Sequence, residues 1–160
     1  MKRLIAMALL LGFAAPAFSQ SVEIKGLSVG MTKAEVQDLF PTWKGFTVAG
    51  VPSKYPSVSV LPKYHEDRLD QLMFFFNPDS FATVLDAVKS KYPNLKCVDS
   101  KVGNAMGAQF SQVECTMGDS SSVLQLTRFV GDINTSGLSL LSRRSLAEDL
   151  EKAKQTKKDI

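Results

Sequence analysis

The stretch from Leu69 to Lys96 constrains the fold most. If Leu69-Asp-Gln-Leu-Met-Phe-Phe-Phe76 is extended, its side chains alternate between two faces. Leu72, Phe74 and Phe76 share one face, and Leu69, Gln71, Met73 and Phe75 share the other. Large apolar groups on both faces predict an interior strand, covered at least partly on each side. Asn77 is placed to cap a helix, Pro78 suits its first position, and Asp79 adds negative charge to the first turn. Phe81, Val84, Leu85, Val88 and Tyr92 then recur at helical spacing as one apolar stripe. Pro93 ends the helix by disfavouring helical angles at Tyr92.

The flanking chain reads as shorter elements of both kinds. Val22 to Lys25 predicts a short strand. Thr32 followed by Glu35 is a capping-box pattern, opening a helix to about Phe40 with Val36, Leu39 and Phe40 inward. Strands are expected over Gly45 to Val51 and Ser57 to Leu61. Pro62 to Arg68 reads as a polar loop carrying His65, the one histidine of the 160 residues. Beyond the central helix, Leu95 to Asp99, Gln109 to Met117 and Ser122 to Val130 read as strands, and Leu138 to Leu141 as a short one. Ser145-Leu-Ala-Glu148 repeats the capping-box pattern and opens a charged C-terminal helix with Leu146, Leu150 and Ala153 on one side.

The N-terminus has the form of an export signal. Lys2 and Arg3 precede the apolar run Leu4 to Ala15, and Ala17 and Ser19 are small residues placed for cleavage before Gln20. The run is short for a membrane span. Cleavage would remove two basic residues and no acid, leaving 17 basic against 16 acidic side chains. Such a balance, without clustered Lys and Arg, argues against nucleic acid as the partner. A periplasmic or secreted chain with no membrane span after cleavage is expected. In that setting Cys97 and Cys115 are expected to form a disulfide, placing their strands in one antiparallel hairpin. Their spacing fits neither a zinc site nor a Cys-x-x-Cys redox pair, and no metal or cofactor is expected.

The order of elements suggests an internal repeat. Phe40-Pro-Thr-Trp-Lys44 resembles Tyr92-Pro-Asn-Leu-Lys96, and Leu69 to Phe75 resembles Val123 to Phe129. The expected fold is α+β: two tandem α-β-β-β units, about residues 22–76 and 77–130, in a domain spanning 20–142 with an antiparallel sheet. Residues 143–160 add the charged helix. The segment Gly26-x-x-x-Gly30-Met-Thr-x-x-Glu35-Val36 resembles the opening of the BamE (SmpA/OmlA) proteins. The tandem layout resembles the β-lactamase-inhibitor-protein-like fold. These resemblances imply a small binding domain of the cell envelope and assign no functional residue.

No catalytic pattern accompanies this layout. His65-Glu66-Asp67 with Asp70 reads as a solvated loop, and there is no phosphate-binding loop or nucleophile elbow. The chemistry expected is recognition. If helices cover the Leu72 face, the other face presents Leu69, Gln71, Met73 and Phe75 beside Val123, Gln125, Thr127 and Phe129. Such a mixture of aromatic, Met and amide groups suits a protein partner, an envelope protein or a secreted enzyme. Tyr55, between prolines, is a further candidate contact. The role expected is non-enzymatic, in envelope assembly or in inhibiting an enzyme or toxin. A small apolar ligand between sheet and C-terminal helix is the alternative.

Overall fold

The computed structural model describes residues 21–54, 60–103 and 106–158. The expected export signal and Tyr55 lie outside the described residues. The fold is α+β, as the alternation of periodicities implied. Its elements are α1 (Lys33–Leu39), β1 (Thr47–Val48), β2 (Val51–Pro52), β3 (Val60–His65), β4 (Arg68–Phe76), α2 (Phe81–Lys91), β5 (Lys96–Gly103), β6 (Gln109–Gly118), β7 (Ser122–Thr127), β8 (Ser136–Ser142) and α3 (Arg143–Lys158). One antiparallel sheet runs β3-β4-β8-β7-β6-β5. The central strand is interior, as its two apolar faces require.

The helix that follows is built as its residues dictate. Asn77 Oδ1 accepts the Asp79 amide at 2.9 Å and opens a 3-10 turn, Pro78–Ser80, ahead of α2. Phe81, Val84 and Val88 are buried on its inner face, and Tyr92 ends it. The Tyr92 hydroxyl donates to the Glu23 carbonyl at 2.8 Å, and the Glu23 amide donates to the same hydroxyl at 2.9 Å. The core lies between the helices and the sheet and holds Leu72, Phe74 and Phe76 with Leu124, Leu126, Leu138 and Leu140. In α1 the Thr32–Glu35 capping box is complete. Val36 is buried, but Leu39 is 49 % exposed and does not face inward. Phe40, Trp43 and Phe46 instead form an aromatic cluster whose Phe46 packs on Phe74 at 5.7 Å.

The two expected units contribute unequally. The strand expected over Gly45 to Val51 is a two-residue ribbon, β1–β2, outside the main sheet. Ala49 and Gly50 both take positive φ there and form a tight turn. Val22 to Lys25 is likewise not a strand; Ile24 bridges only to Leu27. Residues 22–76 give the sheet β3 and β4, residues 77–130 give β5, β6 and β7, and β8 lies beyond both spans. β8 joins them. It lies between β4 and β7, pairing Leu141 with both Gln71 and Val123, and Ser139 with both Met73 and Gln125. The ladder sets Phe75 level with Thr127, and not with Phe129, across Gly137.

Two further boundaries depart from expectation. The polar loop Pro62 to Arg68 is mostly strand: β3 runs to His65, and only Glu66 and Asp67, both at positive φ, make the turn. α3 starts at Arg143, capped by Ser142, whose hydroxyl accepts the Ser145 amide at 2.8 Å. Ser145 is buried and is not the cap. The expected disulfide is present, with Cys97 directly opposite Cys115 in the β5–β6 ladder. Among the described residues, no helix is long and apolar enough to cross a membrane.

Candidate interaction face

The register sets side chains in rows across the sheet face turned away from the core. Lys63, Gln71, Leu141, Val123 and Gly118 form one row. Leu61, Met73, Ser139, Gln125, Thr116 and Lys96 form the next. Phe75, Gly137, Thr127, Glu114 and Val98 form a third. Parity fixes this membership, because side chains on neighbouring strands in register point the same way.

Leu69 does not belong to the face. It pairs with Tyr64 while Gln71 pairs with Lys63, so Asp70 is an extra residue in β4 without a partner on β3. This bulge resets the alternation, and Leu69, 1 % exposed, packs in the core. Gln71 and Val123 are on the face but covered, each 8 % exposed, in the row nearest the start of α3. Met73, Phe75, Gln125, Thr127 and Phe129 remain partly exposed. The half of the expected site nearest α3 is thus structural, and the other half is available for contact.

α3 sits against one end of this face. Asp70, almost fully buried, accepts the Ser142 hydroxyl at 2.5 Å and pairs with Arg144 at 2.8 Å. Arg144 also pairs with Glu148 one turn on. These contacts hold the first turns of α3 to β4 and β8. Further along, the helix leaves the sheet, and Leu150 is 54 % exposed. Leu146 closes an open hollow of ≈ 840 Å³ whose floor includes Val123, Gln125, Thr116 and Lys96.

The other end of the face holds a second hollow, ≈ 370 Å³, lined by Phe129, Val102, Gln112 and Ile133. Phe129 lies just past β7, edge-to-face with Phe110 at 6.2 Å, with the Arg128 guanidinium 5.1 Å from its ring centre. Gln112 Nε2 donates to Glu114 Oε1 at 2.9 Å. Between the hollows, the space over Gly137 is taken by its neighbours: a Cβ there would stand 3.0 Å from Val130 Cγ2 and 3.6 Å from Phe75 Cδ1. Phe110, Val130 and Leu61 also contribute to this side or its rim. Phe110 could have been found from the alternation of β6; the other two follow only from strand order.

Asp119 fastens the edge of the first hollow. Its carboxylate accepts the amides of Ser121 and Ser122, each at 2.8 Å, and of Val22 at 3.1 Å. Its backbone carbonyl accepts Arg143 Nη2 at 2.7 Å. Burial works against the charge, but the amides of Ser121, Val22 and Ser122 outweigh it and hold Asp119 well below the usual carboxylate range. One side chain therefore joins the N-terminal segment to the β6–β7 turn, while its carbonyl meets the first residue of α3.

On the core side, an apolar crevice of ≈ 200 Å³ opens between α2, the N-terminal segment and the sheet, reaching Val88, Leu124 and Leu138. It lies on the opposite side of the sheet from the expected ligand position, and it is small against the several hundred Å³ usual for ligand pockets. His65 ends β3 and Glu66 and Asp67 make the turn, all three exposed, and no group of three metal-ligating side chains occurs among the described residues. No family model, no curated protein and no solved structure matches the chain.

Proposed function

We propose that this chain is an exported, non-enzymatic protein-binding module that works through the open half of its sheet. The observation carrying this reading is the partly exposed group Met73, Phe75, Gln125, Thr127 and Phe129 on a rigid six-stranded scaffold, with a hollow at either end. Rigid strands keep the ordering cost of binding low, and hollows beside aromatic and amide groups accept the anchor side chains that dominate interface energy. The disulfide and the lack of a membrane-crossing helix among the described residues are compatible with export. The BamE-like opening and inhibitor-like layout favour a proteinaceous partner, in envelope assembly or as a neutralised enzyme or toxin.

The test is capture from an envelope fraction with wild-type protein and a Gln125→Arg, Thr127→Arg variant. Added charge mid-face opens no cavity, so the variant should fold and lose the partner that the wild type retains. Equal capture by both proteins would sink the proposal.

A further inference from the structure

The two edges of the sheet are built differently. β3 carries Pro62 and a register shift between Lys63 and Tyr64, two devices that spoil an edge for further pairing. β5 carries neither. It pairs with β6 without a shift from Lys96 to Gly103, and no described segment pairs with its other side. Every β5 side chain except Val102 is exposed, with Val98 at 68 %.

The hydrogen-bond phase of β5 follows from the disulfide pair. The Cα atoms of Cys97 and Cys115 are 4.0 Å apart, the narrow spacing of a non-hydrogen-bonded pair. Val98, Ser100 and Val102 therefore direct their amides and carbonyls to β6. Cys97, Asp99, Lys101 and Gly103 direct theirs outward, toward the free edge.

We infer that this edge pairs with β5 of a second copy, antiparallel, about a twofold axis through Ser100. In this register the outward-bonding residues face each other. Asp99 of each copy lies opposite Lys101 of the other, an opposite-charge pair made twice. On the other face, Val98 of each copy meets Val102 of the other at a narrow pair, where side chains approach most closely. Neither Asp99 nor Lys101 has an ion-pair partner among the described residues. A slip to the next permitted register sets Asp99 against Asp99 or Lys101 against Lys101, so charge selects one alignment. The strand is self-complementary in this single register, and the result is one sheet continuous through both copies. Val98 and Val102 stand at the β5 end of the open face, but the pairing rests on the edge chemistry of β5 and not on the partner-binding reading.

Sedimentation equilibrium of the exported chain over a concentration series tests the inference. Wild type should dimerise reversibly. Asp99→Lys and Lys101→Asp each turn two attractive pairs into repulsive ones, and each should weaken the dimer about 10- to 30-fold. The double swap restores opposite charges and should return affinity to within about threefold of wild type. Both side chains are exposed, so melting temperatures of all three variants should stay near wild type. A wild type that is monomeric throughout overturns the inference and leaves the edge to a foreign strand. Single swaps without effect, or a double swap that fails to restore the dimer, overturn it too.

Discussion

Removing Arg144 tests how α3 is held on the sheet. The Asp70 side chain is 5 % exposed and Arg144 38 % exposed, with 2.8 Å between them. Arg144→Ala leaves a carboxylate in a nearly closed site with only the Ser142 hydroxyl against it. Breaking a buried pair from one side costs about 3–5 kcal/mol. Because Arg144 already shares its charge with water, about 2–3 kcal/mol is the expected loss here. Asp70→Ala should cost less, about 1–2 kcal/mol, since Arg144 keeps Glu148 and solvent. Urea midpoints, with unchanged slopes, measure both losses. A deficit for Arg144→Ala no larger than that of Asp70→Ala would refute the argument.

Other parts of the structure give independent checks. Reduction of Cys97–Cys115, which closes a short hairpin, should lower stability by about 3 kcal/mol in a thermal melt, and two free thiols in exported protein would contradict the bond. Asp119 has a lowered folded pKa, so its stabilising contribution is complete above the unfolded value and is lost as pH falls below about 4. Asp119→Asn should be less stable at neutral pH and lose less on acidification, as followed by circular dichroism. Phe75→Ser with Phe129→Ser should cost about 2–4 kcal/mol, because both rings are more than half covered and each truncation leaves a gap. A melt unchanged from wild type would mean that the rings are freer than their packing indicates.

Much of this architecture is legible locally. The two-faced apolar strand, the Asn77–Pro78 start, the stop at Pro93, the Thr32–Glu35 box and the cysteine pairing each follow from neighbouring residues. What escapes depends on distant contacts or uncommon turns. Glu66-Asp67 makes a positive-φ turn without the glycine that usually announces one, and Pro62 sits in a strand because that strand is an edge. Nothing local places β8 between β4 and β7. The candidate face follows the same division. Parity on Met73, Phe75, Gln125 and Thr127 can be read from alternation. The bulge that buries Leu69 and the burial of Gln71 and Val123 beside α3 are tertiary events.

The central claim is that the open sheet face, rather than the helical side, meets a partner. A photo-crosslinking amino acid at Gln125, mid-face and partly exposed, tests it most directly when compared with one at exposed Ala87 on α2. Irradiated in the cell envelope, the Gln125 position should give one discrete adduct that disappears in the Thr127→Arg background, and the Ala87 position should give none. Adducts of the same mass from both positions, or from Ala87 alone, would contradict the account.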